Sequence, residues 1–321
     1  MFLRLISDAH LNPEISDNLW LAHPSVRRYR NRQITGEPET HPLDYFRMKY
    51  AERVPFRSAL VVGCGTGTIE RQAHAHAICH KFDCFDVSDE ALGSARALSL
   101  PEAAQFNYFQ ADGNRVRLSP RRYDLVICFH SLHHIRDLEH LLGQIQESLT
   151  DDGLLYVDEF VGPSRWQWAD AQLAAANSEL ARLPERLRVC NWPMPIPKLI
   201  YFLATGQYAY RPSLRALVKI RTIRPSLALM RLNDSSESVR SKEIPELVRR
   251  KFRVVEESPY GGTLLNLVLS KIICNFRPED PEGSRVLDAL IERERELLSD
   301  GVLEHDHIFM IAERDPTAEE R

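Results

Sequence analysis

LVVGCGTGTIE, residues 60–70, is a strand, a glycine turn and the start of a helix. Leu60–Val62 end an apolar run, SALVVG, of the kind that forms a strand buried on both faces of a parallel sheet. Glycines stand at 63, 65 and 67. A dinucleotide fingerprint, G-x-G-x-x-G, wants its third glycine where Thr68 stands. The observed spacing instead makes a tight loop stripped of side chains, so that a ligand can lie against the main chain. Amides there and at the following helix start favour an anionic group such as a carboxylate.

Outward from this turn the pattern alternates. The helix IERQAHAHAICH is followed by a strand, KFDCFD, a helix opened by Ser88 (SDEALGSARALS) and a strand, FNYFQA. Next come YDLVICF as a strand, DLEHLLGQIQESL as a helix with apolar Leu138, Leu141, Leu142 and Ile145, and GLLYVDEF as a strand. Alternation at these lengths predicts a parallel sheet with right-handed crossovers. After Glu159 it stops. A helix, KEIPELVRRKF, then leads into RVVEESPY and TLLNLVLSKII, read as two strands of an edge hairpin joined by Gly261-Gly262. Residues 1–57 read as helices and loops, with Pro24 breaking or starting a turn.

Two carboxylates follow the glycine loop at successive strand ends. Asp86 lies 23 positions after Gly63, placed to accept hydrogen bonds from ribose hydroxyls; Asp112 follows the third strand and can accept from an exocyclic amine. Each alone also reads as a cap or turn residue, Asp86 before Ser88 and Asp112 before Gly113.

On VVGCGTG, FDVSDEAL, FQADG, YDLVICFHSLHHI and GLLYVDEF, residues 58–160 resemble the S-adenosylmethionine-dependent methyltransferases with a Rossmann-like fold, of the small-molecule type. The resemblance implies an α/β fold: a seven-stranded, mostly parallel, doubly wound sheet of order 3-2-1-4-5-7-6, the seventh strand antiparallel. It implies N-terminal helices and a helical substrate cap after the fifth strand. It also implies S-adenosylmethionine as cofactor, with Gly63, Gly65 and Gly67 at the methionine part, Asp86 at the ribose and Asp112 at the adenine, and Cys64, Val87, Ala111, Phe129 and His130 as further cofactor contacts. One departure is Val61, where the family often has an acid two positions before the first glycine.

The domain reading is an N-terminal extension (1–57), a core (58–160 and 243–275), a cap (161–242) and an acidic helical tail (276–321). Methyl transfer to a hydroxyl needs a positioned acceptor and a base. His133, His134 and Glu159 are the catalytic candidates, at the carboxyl ends of the fourth and fifth strands, where ligands bind in open α/β sheets. A buried Glu159 there has its pKa raised toward a base's range. The histidines read equally as packing or loop-orienting groups. Arg165, Trp166 and Arg240 are the candidate acceptor contacts, with packing and a solvated turn as the plain alternative.

Composition bounds the rest. The chain has 321 residues, 41 Lys+Arg against 45 Asp+Glu, and 44% hydrophobic residues, which excludes a mostly disordered chain. No apolar stretch is long enough for a transmembrane segment, and the N-terminus lacks a signal-peptide pattern. The six cysteines form no C-x-x-C pair, so reduced core thiols in a cytoplasmic protein are expected, and no metal. Residues 196–232 carry seven bases and no acid; residues 279–321 carry 14 acids against 5 bases. The basic stretch is a lid surface, a contact for an anionic or lipid-linked substrate, or a nucleic-acid patch. The absence of an Asn-Pro-Pro-Tyr signature, with Phe129-His130-Ser131 in its place, argues against nucleobase methylation, so no nucleic-acid partner is expected. The reading is methyl transfer to an oxygen of a small molecule or a glycan or lipid precursor, by a chain that can form a homo-oligomer. The alternatives are a non-catalytic methyltransferase-like scaffold, which Val61 favours, and a nicotinamide oxidoreductase, which Thr68 disfavours.

Overall fold

The computed structural model describes residues 20–99, 105–190, 208–212 and 217–315. Its strands are β1 (Ala59–Val62), β2 (Phe82–Asp86), β3 (Phe106–Gln110), β4 (Tyr123–Phe129), β5 (Leu149–Phe160), β6 (Val189–Cys190), β7 (Tyr208–Pro212), β8 (Leu217–Thr222), β9 (Phe252–Gly261) and β10 (His307–Arg314). Seven of them form one sheet in the order β3-β2-β1-β4-β5-β10-β9. Counted within the sheet this is 3-2-1-4-5-7-6, as expected. β10 runs antiparallel to both neighbours, and the other pairings are parallel.

Strand geometry sends successive side chains to opposite faces, and both faces of this sheet are covered. Ala59, Val61, Leu125, Ile127, Leu154, Tyr156, Phe309 and Ile311 enter one core; Leu60, Val62, Val126, Cys128, Leu155, Val157, Ile308 and Met310 enter the other. That is why β1, β4 and the middle of β5 are apolar at nearly every position instead of alternating. The helix Pro24–Thr35 starts at Pro24, with the His23 side chain accepting from the Ser25 amide, and Gly36 ends it with φ +82°. It buries Val26, Tyr29 and Ile34 in the first core.

Two expectations are corrected. TLLNLVLSKII is not a strand: its apolar part is the helix Leu264–Leu269. Both Gly261 and Gly262 have positive φ, and the Glu294 carboxylate accepts from the amides of Gly262 and Leu265, fixing the start of that helix. Leu264, Leu265, Leu267, Val268 and Leu269 are all buried, so helical periodicity leaves no polar face to see. The seventh strand is instead His307–Arg314, inside the segment read as a helical tail. The tail's helix, Pro281–Ser299, is present as expected. The cap is not purely helical either. Beside the helices Asp170–Arg182 and Leu227–Asn233 it holds a three-stranded antiparallel sheet, β6-β8-β7. The proline-rich part of the cap, 191–207, lies outside the described residues.

All six cysteines are free thiols, and five are buried. No helix among the described residues is long and apolar enough to cross a membrane.

Candidate functional site

The carboxyl ends of β1, β2 and β3 bring the glycine loop and both predicted acids to one lip of the sheet. Gly63, Gly65 and Gly67 all have positive φ, a region that L side chains avoid. A Cβ on Gly63 would stand 2.7 Å from Ser131 Cβ, so this glycine admits the loop after β4. A Cβ on Gly65 would meet nothing within 4 Å, so the main chain there faces open space. Asp86 closes the loop from the side. Its Oδ2 accepts from the Gly65 amide at 2.9 Å and its Oδ1 from the Ser88 amide at 2.9 Å. Val87 beside it is 67% exposed, an apolar group at the lip. The Ala111 amide donates to Asp86 O, which ties the third strand end to the second. Asp112 Oδ1 accepts from the Asn114 amide at 2.9 Å and side chain at 2.7 Å, and these donors hold its pKa below the usual carboxylate range. A backbone bend without side chains, with carboxylates at the next two strand tips, fits a nucleoside with hydroxyl and amine donors.

β4 ends in Phe129 and His130, whose rings meet edge to face at 4.7 Å. His130 has φ +48° and its amide donates to Asp158 O. The next turn, Leu132–His134, is organised around one carboxylate. Glu159 is fully buried; Oε2 accepts from the amides of Ser131 (2.8 Å) and Leu132 (2.7 Å), Oε1 from His133 Nδ1 (2.5 Å) and the Phe160 amide (2.8 Å). Burial alone would raise its pKa, but the His133 imidazolium and the amide donors outweigh it and hold Glu159 at about 2. The expectation of a raised pKa is therefore corrected: the donors around Glu159 shift it downward and favour the ionised carboxylate. Conversely, burial favours neutral His133, yet Glu159 wins and lifts it to about 9. His134, its ring 4.2 Å from that of His133, is pushed down by burial and by the neighbouring cation, so it stays neutral.

The cap's exit segment reaches this cluster. Asp234 Oδ1 accepts from the Ser236 amide and hydroxyl and the Glu237 amide. Ser236 Oγ lies 3.3 Å from His134 Nδ1, and the Val239 amide donates to His133 O. Glu237 places its carboxylate 3.8 Å from His133 Nε2 and 3.9 Å from His134 Nε2. Asp234, Ser236 and Glu237 were absent from the sequence-based candidates; their only signal is a polar run, NDSSES, at the end of the cap.

Two proposed substrate contacts are committed elsewhere. Arg165 donates through Nη1 to Glu237 O and through Nη2 to Ser235 O, so its guanidinium braces the exit segment. Arg240 forms a bidentate pair with Glu139 (2.6 and 2.8 Å) and a second pair with Glu243. Neither presents an unpaired fork to an acceptor. Trp166, half-buried, stacks at 6.2 Å on buried Trp168, whose Nε1 donates to Asp306. The basic segment is partly structural as well. Lys219 is buried and donates to the carbonyls of Leu267, Val268 and Ser270, at the end of the helix Leu264–Leu269, and Arg224 donates to Trp168 O.

Comparison with known proteins agrees with this geometry. Residues 60–155 match the family model described as a methyltransferase domain. Over 164 residues the chain is 26% identical to human "Arginine-hydroxylase NDUFAF5, mitochondrial", covering 48% of this chain and 46% of that protein. Over 112 residues it is 27% identical to the fission yeast (Schizosaccharomyces pombe) "Uncharacterized methyltransferase C1347.09", covering 32% and 39%. The chain thus spans less than half the length of these curated relatives. Among solved structures, a putative sarcosine dimethylglycine methyltransferase from Galdieria sulphuraria is 12% identical, with 85% of each chain covered and a TM-score of 0.46. Residues 60–155, with their glycine loop and strand-end acids, thus match a methyltransferase-domain family model and lie in a sheet of Rossmann-like strand order.

Proposed function

We propose that the chain transfers a methyl group from S-adenosylmethionine to an oxygen of a small molecule or of a glycan or lipid precursor. The observation that carries this reading is the bond from the Gly65 amide to Asp86, which sets a carboxylate against an open stretch of main chain. S-adenosylmethionine supplies an electrophilic methyl on a sulfonium, so the protein's work is positioning, water exclusion and proton removal. Gly63, Gly65 and Gly67 receive the methionine end. Asp86 receives the ribose hydroxyls, and Asp112, with Ala111, Phe129 and His130, borders the base. His133 and Glu159 hold the loop after β4 in place. His134, neutral and partly exposed, takes the acceptor's proton, and Trp166 offers an apolar wall. The acceptor needs no anionic group, since Arg165 and Arg240 are engaged within the protein.

The test is calorimetry with S-adenosylhomocysteine, followed by turnover with methyl-labelled S-adenosylmethionine. Asp86→Ala weakens nucleoside binding more than about tenfold, the loss of a charge-assisted contact. His134→Gln leaves binding unchanged and cuts turnover. No binding by the wild-type protein overturns the reading. The relative named an arginine-hydroxylase favours a second reading, hydroxylation of an arginine-bearing acceptor. Product mass decides between them, since the acceptor gains either a methylene or an oxygen atom.

A further inference from the structure

We propose that His133, His134 and Glu237 form a binding site for one divalent transition-metal ion, of the zinc and iron(II) class, at the mouth of the crevice. Three potential donor atoms converge there, one from each residue, all within 4.8 Å of one another. The Glu237 oxygens lie 3.8 and 3.9 Å from the two Nε2 atoms, too far for direct hydrogen bonds. Ligand atoms around a first-row ion at bond lengths of about 2.0–2.2 Å stand roughly 3.0–3.5 Å apart. The two carboxylate–imidazole distances exceed this by a few tenths of an ångström, and the whole donor set lies within 4.8 Å, so side-chain rotations draw the three donors together around an ion.

The surroundings are those that orient ligands. A metal-binding imidazole usually donates its other N–H to a carboxylate, carbonyl or hydroxyl, which fixes the tautomer and aims the remaining nitrogen. His133 Nδ1 faces Glu159 Oε1 at 2.5 Å. His134 Nδ1 faces Ser236 Oγ at 3.3 Å, and that hydroxyl donates to Asp234 Oδ1 at 2.6 Å. Both Nε2 atoms are thereby left toward Glu237. The third donor is fixed independently. Ser238 Oγ donates to Glu237 Oε1 at 2.8 Å, Arg165 holds Glu237 O, and Ser238 has φ +47°. A non-glycine residue in that conformation costs of order 1 kcal/mol or more, so the segment is over-determined by its contacts.

Charge and donor type select the ion. Glu159 and Glu237 together balance a dication. Two imidazoles and one carboxylate suit zinc, iron or cobalt, whereas magnesium and calcium prefer oxygen ligands throughout. Three protein ligands on a partly exposed site leave positions for water or for an acceptor oxygen. With an ion bound, His134 would be a ligand and its Nε2 would not be free to take the acceptor's proton. Sequence reading expected no metal because the six cysteines form no C-x-x-C pair; Glu237 itself lies more than 100 residues beyond the histidine pair.

The test contains neither S-adenosylmethionine nor an acceptor, so it stands or falls apart from methyl transfer. The full chain is stripped with a chelator and titrated with Co2+ by visible absorption and with Zn2+ by calorimetry. One ion per chain is expected, undisplaced by excess Mg2+. Glu237→Gln, which removes one charge with little change of shape, weakens binding at least tenfold, as does His134→Gln. Near-ultraviolet circular dichroism verifies that each variant is folded. His76→Gln, at a histidine paired with Asp44 elsewhere on the protein, binds as the wild type. No Co2+ binding, binding unaltered in Glu237→Gln, or displacement by Mg2+ each overturns the proposal.

Discussion

His133 Nδ1 and Glu159 Oε1 are 2.5 Å apart, and each fixes the other's charge. Around that pair, the amides of Ser131, Leu132 and Phe160 all point at one carboxylate. The loop that ends β4 is thus pinned by a side chain from β5, and Gly63 makes room for it. A glutamine here keeps one accepting oxygen and turns the other into an NH2 donor, so two of these four donors lose their acceptor and His133 loses its counter-charge in a buried place. Glu159→Gln should cost about 2–4 kcal/mol of unfolding free energy, read from urea denaturation. A loss below about 1 kcal/mol would show that the carboxylate does not organise this turn.

Gly65 and Gly36 form a matched pair. Both have positive φ, and a Cβ on either meets nothing within 4 Å. Alanine at either site should therefore cost a similar amount, of order 1 kcal/mol, from backbone strain alone. Only Gly65→Ala should weaken S-adenosylhomocysteine, by tenfold or more, because its methyl group projects where a ligand would lie. Equal affinity in the two variants removes the glycine loop from the binding surface.

Glu70 gives a pH signature. It is fully buried under the glycine loop, and burial raises its pKa to about 7. The Tyr108 hydroxyl and the Cys84 thiol face the carboxylate and favour its ionised form, but burial outweighs them. The unfolded chain ionises near pH 4.3 and the fold resists ionisation up to about 7, so this residue lowers stability progressively across that window. Above about pH 7 the cost is constant, up to about 3 kcal/mol. Glu70→Gln should stabilise the protein at pH 8 and change it little at pH 4.5, with denaturant midpoints as the measurement. A gain independent of pH contradicts the raised pKa.

Arg240 tests a correction. Its guanidinium holds Glu139, whose pKa falls to about 2 through that bond. The pair is partly exposed, so Arg240→Ala should cost only about 1 kcal/mol in Tm-derived stability. The acceptor KM should not change. A large rise in KM with unchanged stability would restore Arg240 as a substrate contact.

The half of the sheet that carries the glycine loop was legible because its signals are local. Gly63–Gly67, Asp86 and Asp112 sit at fixed offsets from apolar strands; alternation implied the parallel sheet, and the family resemblance implied its strand order. Periodicity failed where burial is complete. The all-apolar Leu264–Leu269 reads as a strand until Glu294, from another helix, is seen to secure its start. HIFMIAER was hidden inside an acidic tail whose helix dominated the pattern. Glu159 was found, but its ionisation was misread because its partners are backbone amides, which leave no mark in a sequence. Glu237 was not singled out because its neighbours are distant in the chain, and the bonds from Arg165 to two carbonyls likewise leave no mark in a sequence.

β10 lies between β5 and β9, so the strand of this sheet that comes after the other six along the chain is an interior one. Until Phe309, Met310 and Ile311 emerge, two hydrogen-bonding edges and both apolar layers beside them stay unsealed. The growing chain must therefore hold a gap in its own middle, and completes its architecture by inserting a keystone instead of adding a final layer.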